Sequence, residues 1–239
     1  MNVDFVRPMP PEDVQRRTVG LSGERAMQEA LTFASDCVAR FVASPLWAKP
    51  DKTLLDFGAC WGRITRAFVP PFAVGNITGV EPNPEFLRHY RDAFPHTPTI
   101  LSDEWPPLNL PALSFDFVVG YSVFSHLSER LCRAWMEEFV RLLRPNGMIA
   151  LTTRPKSFFD RAATLDSDDR YEQELQQIFA NAADSRFAYD RGEFVHFGSD
   201  YGESLIPERY ARLAYADLLD FVAFQQEGRD QAIMFFAKR

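Results

Sequence analysis

One stretch of the chain has the pattern of a buried strand that ends in a glycine-bearing turn and continues into a helix. It runs Leu54-Leu55-Asp56-Phe57-Gly58-Ala59-Cys60-Trp61-Gly62-Arg63. A second short apolar run, residues 77–80, ends in Glu81, 23 residues after Gly58. A strand, a tight loop, a helix and a second strand closed by an acid form one βαβ unit, which predicts an α/β fold with a parallel sheet.

The same unit is suited to holding a nucleoside. Loop glycines let the backbone approach a ligand closely, and a carboxylate that ends the second strand can accept hydrogen bonds from both ribose hydroxyls. The spacing argues against a dinucleotide, because that fingerprint needs glycines at the first, third and sixth loop positions. Here those positions hold Gly58, Cys60 and Arg63, so what remains is Asp-x-Gly-x-x-x-Gly, from Asp56 to Gly62.

This pattern resembles motif I of the class I methyltransferases that use S-adenosylmethionine (SAM), usually written Asp/Glu-x-Gly-x-Gly-x-Gly, with Cys60 at the middle glycine. A side chain at Cys60 narrows the loop if its φ must be positive and is harmless otherwise. We expect a reshaped pocket that still binds the cofactor.

Further stretches carry the resemblance beyond the loop. Residues 115–127 are similar to the motif that follows strand four of small-molecule methyltransferases. Residues 141–147 are similar to their Arg-x-Leu-x-Pro-Gly-Gly turn, with Asn146 replacing a glycine where a positive φ is wanted. The ending, 201–206 and then 230–234, looks like a subgroup associated with bacterial polysaccharide and sugar modification.

The resemblance implies a Rossmann-like, mostly parallel sheet of seven strands in the order 3-2-1-4-5-7-6, with the last strand antiparallel and helices on both faces. Apolar runs predict these strands at 53–57, 77–80, 99–101, 115–120 and 148–153, with a terminal hairpin over 218–224 and 231–237. Helices are predicted from Ser22 or Gly23, from Trp61, from Pro84 and over 128–143. Arg63 and Arg66 are expected to make surface or loop contacts.

We expect three parts along the chain. Residues 1–22, with Pro8, Pro10 and Pro11, are expected to be an irregular arm, and residues 23–239 a single methyltransferase domain. An acceptor-side insertion at about 156–206 is partly helical over 171–183. Its aromatic residues either line an acceptor site or form its own small core: Phe158, Phe159, Tyr171, Phe187, Tyr189, Phe194 and Phe197.

The cofactor implied by the resemblance is SAM, and the implied binding residues are Asp56, Gly58, Ala59, Cys60, Trp61, Gly62, Glu81, Pro82, Ser102, Asp103, Glu104, Trp105, Tyr121 and Ser122. The loop would wrap the methionine and ribose portions, and Glu81 would take the ribose diol. Asp103 either meets the adenine amino group or caps the turn before Pro106. Asp56 either bonds the loop or ligand, or is a buried acid that caps backbone amides.

Methyl transfer from a sulfonium is an in-line displacement, so the enzyme mainly aligns the two reactants. An oxygen acceptor also benefits from a base near pH 7, and His126, just past strand four, is the candidate. The alternative is that His126 packs the start of the helix that follows. His196 lies in the insertion. No paired acidic ligand set of the metal-dependent catechol type is present, so we predict no metal.

Composition limits the partners. The net charge of −7, with no basic stripe, argues against nucleic acid as substrate. The three cysteines lack a Cys-x-x-Cys pair, and no apolar run reaches the ~20 residues that span a membrane, so we expect a cytoplasmic protein. We therefore predict SAM-dependent methylation of an oxygen on a small molecule, with a sugar or polysaccharide precursor among the acceptors. The rivals are a SAM-fold binding or regulatory protein without turnover and a nicotinamide-dependent oxidoreductase.

Overall fold

The computed structural model describes residues 7–162, 173, 186–191, 200–226 and 231–239. The chain divides into two compact units. The first holds the described residues up to Asp103, with Leu108–Gly120 and Leu142–Met148; the second holds Glu104–Pro107, Tyr121–Arg141 and the described residues from Ile149 onward. The predicted helix at 171–183, along with Tyr171, Phe194, His196 and Phe197, lies outside the described residues.

Seven strands form one sheet in the order β3-β2-β1-β4-β5-β9-β8, which confirms the predicted fold class and strand order. The strands of this sheet are Leu54–Phe57 (β1), Ile77–Glu81 (β2), Thr99–Leu101 (β3), Phe115–Gly120 (β4), Leu143–Thr153 (β5), Asp220–Gln225 (β8) and Ala232–Ala237 (β9). β1 pairs in parallel with β2 and β4, whereas β8 and β9 pair antiparallel as the hairpin prediction requires. A separate antiparallel pair joins Ala188–Asp190 (β6) and Glu203–Leu205 (β7).

The described helices are Glu12–Val19 (α1), Gly23–Phe41 (α2), Arg63–Phe68 (α3), Pro84–Ala93 (α4), Glu129–Leu142 (α5), Lys156–Ala162 (α6) and Glu208–Ala214 (α7). Each of α2, α4 and α5 lies where the apolar spacing predicts a helix. Among the described residues, no helix has both the length and the apolar character needed to cross a membrane.

The N-terminal arm differs from the expectation of an irregular segment, because it contains helix α1. Pro11 stands at the N-cap, and Gly20 ends the helix with a left-handed φ of 72°. A proline just before a helix and a glycine just after it are boundary signals, since proline needs no amide partner there and glycine reverses the backbone without strain. The cluster of prolines therefore marks the start of a helix.

A close approach between β2 and α4 explains a glycine inside a strand. A Cβ at Gly79 would lie 2.6 Å from Cζ of Tyr90, so the Tyr90 ring occupies the space that a side chain would need. Tyr90 also packs with Leu87, Phe94 and Ala59 in one buried cluster. This cluster fixes α4 against the strand that ends in Glu81.

The turn before strand five is also part of the strand in the structure. β5 begins at Leu143 rather than at Met148, so the predicted turn at 144–147 lies within it. Asn146 has a φ of 66°, which confirms the positive φ expected at that position. A Cβ at Gly147 would lie 2.8 Å from the carbonyl oxygen of Asp116, so this segment runs too close to β4 for a larger residue.

The two arginines of α3 are buried, which corrects the expectation of surface contacts. Arg63 is 4% exposed and donates to the Ala26 carbonyl and the Glu29 carboxylate. Arg66 is 0% exposed and donates to the carbonyls of Arg7 and Pro8. Their guanidinium groups attach α2 and the N-terminal segment to the glycine-loop helix.

Candidate functional site

The glycine loop is fixed by backbone hydrogen bonds to the strand beside it. The N–H groups of Gly58 and Ala59 both donate to the Val80 carbonyl at 2.9 Å, and Gly62 donates to the Ala59 carbonyl at 2.8 Å. Gly62 has a φ of +87°, and a Cβ there would lie 2.6 Å from Cε2 of Phe94. Conformation and space therefore both require glycine at position 62.

Cys60 stands at the middle position of the motif with a left-handed φ of 49°. For a residue with a side chain this conformation costs on the order of 1–2 kcal/mol, so the loop carries strain that neighbouring contacts must offset. Burial, together with the nearby Glu81 charge, raises the pKa of the Cys60 thiol to about 12. The thiol therefore stays protonated near neutral pH, and a nucleophilic role is disfavoured.

Glu81 ends β2 with its carboxylate turned back onto the loop. Its Oε2 accepts from the Cys60 N–H at 2.9 Å and its Oε1 accepts from the Asn83 N–H at 2.8 Å. Glu81 is 6% exposed, and this burial raises its pKa to about 7, although both N–H bonds act in the opposite direction. Each oxygen keeps a further lone pair, so the carboxylate is able to accept ribose hydroxyls without giving up the loop.

Asp56 belongs to a series of hydrogen-bonded side chains next to the loop. Its Oδ2 accepts from the Thr65 hydroxyl at 2.5 Å, and the Tyr90 hydroxyl lies 3.0 Å from that same oxygen of Thr65. Burial raises the pKa of Asp56 to about 6, while the bonds from Thr65 lower it. Its Oδ1 is buried without a hydrogen-bond partner. Asp56 is therefore a buried acid that is bonded through one oxygen to a side-chain hydroxyl of α3.

The remaining candidates of the first unit lie at the ends of β2 and β3. Pro82 and Asp103 are exposed, and Ser102 is half-buried with its N–H donating to the Glu81 carbonyl at 3.2 Å. Within the part of the chain that the structure describes, the Asp103 carboxylate makes no hydrogen bond to the turn before Pro106. It is therefore positioned at a strand end with its acceptor oxygens toward solvent.

In the second unit, Glu104 and Trp105 are attached to α5 and to Asp200. The Glu104 carboxylate accepts from the Asp200 N–H at 2.9 Å, and its carbonyl accepts from the Trp135 indole at 3.1 Å. Trp105 is 37% exposed, and the Arg130 guanidinium lies 5.4 Å from its ring centroid. The Trp105 ring is thus an available stacking surface with one face near a cation.

Tyr121 and Ser122 directly follow β4, and Ser122 has a positive φ of 58°. Its N–H donates to the Thr152 hydroxyl at 2.7 Å, and its own hydroxyl accepts from the Gln231 side chain at 2.9 Å. Thr152 in turn donates to Gln231 at 2.5 Å, which closes a ring of three polar side chains. This ring holds the strand end in its unusual conformation. Both Tyr121 and Ser122 are half-buried.

His126 has a defined set of neighbours from a distant part of the chain. Its Nδ1 lies 3.0 Å from the Gly202 carbonyl and 3.4 Å from Oε1 of Glu203. Its ring stacks on Tyr201 with centroids 5.1 Å apart. Glu203 is buried and also pairs with Arg154. A carbonyl and a carboxylate at Nδ1 favour the tautomer with the proton there, which puts the basic lone pair on Nε2.

Several of these contact residues have no signal in the sequence. Thr65 and Tyr90 carry no motif of their own, and the stretch 201–206 that holds Glu203 does not predict the contact with His126. The partners of Ser122, Thr152 and Gln231, lie 30 and 109 residues away along the chain. Such contacts depend on how the elements pack, so periodicity and spacing do not predict them.

Known proteins match part of this chain in sequence. Residues 55–149 match the family model described as a methyltransferase domain. Among curated proteins, the reducing polyketide synthase Preu2 of Preussia isomera is 27% identical over 139 residues, which is 54% of this chain and 6% of that protein. The match therefore spans a small part of that relative's length.

Solved structures share the fold at low sequence identity. Magnesium protoporphyrin IX methyltransferase (ChlM) from Synechocystis PCC 6803 with bound SAH has a TM-score of 0.61 and 14% identity, over 95% of this chain and 93% of that one. DesVI of Streptomyces venezuelae has a TM-score of 0.60 and 16% identity, over 97% and 100%. A SAM-dependent methyltransferase of Methanosarcina mazei has a TM-score of 0.56 and 15% identity, over 80% and 94%. Residues 55–149 are therefore similar to a methyltransferase domain, and the chain shares its fold with these solved structures.

Proposed function

We propose that this chain transfers the methyl group of SAM to a hydroxyl oxygen of a small molecule. The observation that carries the proposal is His126, whose Nδ1 faces the Gly202 carbonyl and the Glu203 carboxylate. A neutral imidazole held in this tautomer can accept a proton through Nε2. Oxygen acceptors need such a base, because a neutral hydroxyl is a weak nucleophile.

The cofactor half of the proposal is supported by the glycine loop and Glu81. The loop backbone would hold the methionine and ribose portions, and the buried carboxylate has lone pairs for the ribose hydroxyls. Asp103, just after β3, would accept from the adenine amino group. Bound SAM supplies an electrophilic methyl group on a sulfonium.

The protein would then contribute mainly by aligning the two reactants and removing the proton of the hydroxyl. SAM would supply the methyl group, and His126 would take up the proton of the acceptor hydroxyl at Nε2. Glu203 would stabilise the imidazolium that results, since its carboxylate lies 3.4 Å from Nδ1. Proton transfer of this kind contributes roughly 10²–10⁴ in rate.

Three observations guide the choice of acceptor. The formal charge of −7 disfavours nucleic acid, and the endings at 201–206 and 230–234 are similar to a sugar-modifying subgroup. ChlM, which shares the fold, is named for a small molecule, magnesium protoporphyrin IX. Sugars and sugar nucleotides are therefore the first acceptors to test, followed by other hydroxylated small molecules.

The experiment begins with calorimetric titration of S-adenosylhomocysteine (SAH), with NAD as the parallel control. Saturable binding of SAH but not NAD is expected. Methyl transfer from labelled SAM is then measured against hydroxyl acceptors and their amine analogues, and the hydroxyl compounds are expected to be methylated. Binding of NAD instead of SAH would refute the cofactor, and SAH binding with transfer to amines alone would refute the oxygen assignment.

A further inference from the structure

Helix α1 contacts the glycine loop through one hydroxyl group. The Thr18 Oγ1 accepts from the Trp61 indole N–H at 3.1 Å. Its own hydrogen is donated within α1, to the Val14 carbonyl at 2.9 Å. Trp61, which follows Cys60 in the motif, is thus held by a residue that lies outside the matched segment 55–149.

The loop has a physical need for this contact. Cys60 adopts a φ of 49°, which is unfavourable for a residue with a side chain. The hydrogen bonds that the loop N–H groups donate to the Val80 carbonyl and the Glu81 carboxylate hold the loop backbone, but they leave the orientation of the side chains open. Because Trp61 is 0% exposed, its indole N–H needs a partner, and Thr18 supplies it.

The position of Thr18 is itself set by the first unit. Arg66 donates to the carbonyls of Arg7 and Pro8, at the start of the segment that leads into α1. Within α1 the buried Gln15 side chain donates to the Pro10 carbonyl at 2.8 Å and accepts from the Gly23 N–H at 2.9 Å. The helix is therefore tied at both ends, so the Thr18 hydroxyl is presented to the loop at a defined place.

We propose that α1 contributes to the cofactor site and that Thr18 is a residue that positions the glycine loop. Its hydroxyl holds Trp61, and through it the loop, in the conformation that receives the methionine end of SAM. This inference rests on the proposed function in one respect, that the loop binds SAM. Without the hydroxyl, the loop samples other conformations, and binding must then order it, which lowers affinity.

The test compares Thr18→Val with Thr18→Ser. Valine keeps the shape and removes the acceptor, whereas serine keeps the hydroxyl. SAH affinity is expected to fall roughly tenfold in Thr18→Val and to stay within about twofold in Thr18→Ser. Thr32→Val is the matched control, because the exposed Thr32 hydroxyl bonds the Gln28 carbonyl of its own helix. Thermal unfolding without ligand is measured for each variant, which separates a loss of affinity from a loss of folded protein.

A second variant tests the same contact from the other side. Trp61→Phe removes the indole N–H, and its effect on SAH affinity is expected to be close to that of Thr18→Val. The double variant is expected to lose little more than either single variant, because both remove one shared interaction. Unchanged SAH affinity in folded Thr18→Val, or fully additive losses in the double variant, would overturn the inference. Absence of SAH binding by the unaltered protein would instead overturn the proposed function.

Discussion

The carboxylate of Glu81 accepts the Cys60 N–H at 2.9 Å, so the acid that ends β2 directly supports the strained residue of the glycine loop. Glu81 stabilises the loop and is also the candidate ribose ligand. Burial raises the pKa of Glu81 to about 7, which makes its ionisation sensitive to pH in the neutral range. The affinity for the cofactor should therefore depend on whether Glu81 is protonated.

The first prediction concerns SAH affinity as a function of pH. The ionised carboxylate accepts ribose hydroxyls better than the protonated one, so affinity is expected to rise roughly five- to tenfold from pH 6 to pH 8. Binding at pH 7 should release a proton, which calorimetry in buffers of different ionisation enthalpy measures. Glu81→Gln should bind more weakly and with little pH dependence. A variant that binds like the unaltered protein at pH 8 would remove Glu81 from the site.

The second prediction concerns the stability contributed by Asp56. Its pKa is about 6 in the folded protein against an ordinary 3.8, so the folded state binds the proton more tightly than the unfolded chain does. The free energy of unfolding should then decrease as pH rises from about 4 to about 6, by about 2–3 kcal/mol from this group. Asp56→Asn should flatten that decrease in urea titrations. Asp92→Asn, on the exposed face of α4, is the control and should leave the slope unchanged.

The third prediction compares the loss of stability at two glycines, one where a side chain would meet only backbone strain and one where it would also lack space. Gly20 has a φ of +72° with open surroundings, whereas Gly62 has a φ of +87° and a Cβ would lie 2.6 Å from Phe94. Gly20→Ala should cost about 1 kcal/mol of unfolding free energy, from φ alone. Gly62→Ala should cost about 3 kcal/mol or more, because overpacking adds to the strain, and should abolish SAH binding. Equal costs would show that the Phe94 ring moves aside.

The fourth prediction concerns Asp116 on β4. Burial by itself raises the pKa of Asp116. The hydrogen bonds from the Thr53 N–H, Lys49 and Arg144 outweigh this effect and hold the pKa below its ordinary value. Asp116→Asn should lower the free energy of unfolding at pH 7 by about 2–4 kcal/mol, and the difference should shrink as pH falls below 3.8. Asp217→Asn removes an exposed pair with Arg133 and should change stability far less. A loss at Asp116 that persists unchanged in acid would point to packing instead of charge.

The fifth prediction concerns His126. His126→Asn keeps a donor toward the Gly202 carbonyl but cannot accept the acceptor's proton. Methyl transfer to a hydroxyl compound should fall by roughly 10²–10⁴, while SAH affinity stays within about twofold. His89→Asn on α4 is the control histidine and should retain activity. A fully active His126→Asn variant would exclude His126 as the base.

The parts of the fold that could be predicted are those with a local cause. The strand over residues 115–120 agrees at both ends, because a run of apolar residues buried on both faces has few alternatives. The helix from Pro84 and the positive φ at Asn146 follow from the stereochemistry of the residues themselves. The pattern predicts surface or loop contacts for Arg63 and Arg66, and their burial depends on partners in α2 and the N-terminal segment.

The sequence by itself determined the glycine loop and the acid after β2, because each depends on residues near one another in the chain. The strand order, which joins distant segments, followed from the resemblance to class I methyltransferases. Tertiary structure alone decided that Thr18 reaches Trp61 across 43 residues and that Glu203 lies beside His126. It also decided that Asp56 faces Thr65 within the fold. These contacts join side chains whose meeting depends on the packing of whole elements, and no local preference of either partner encodes it.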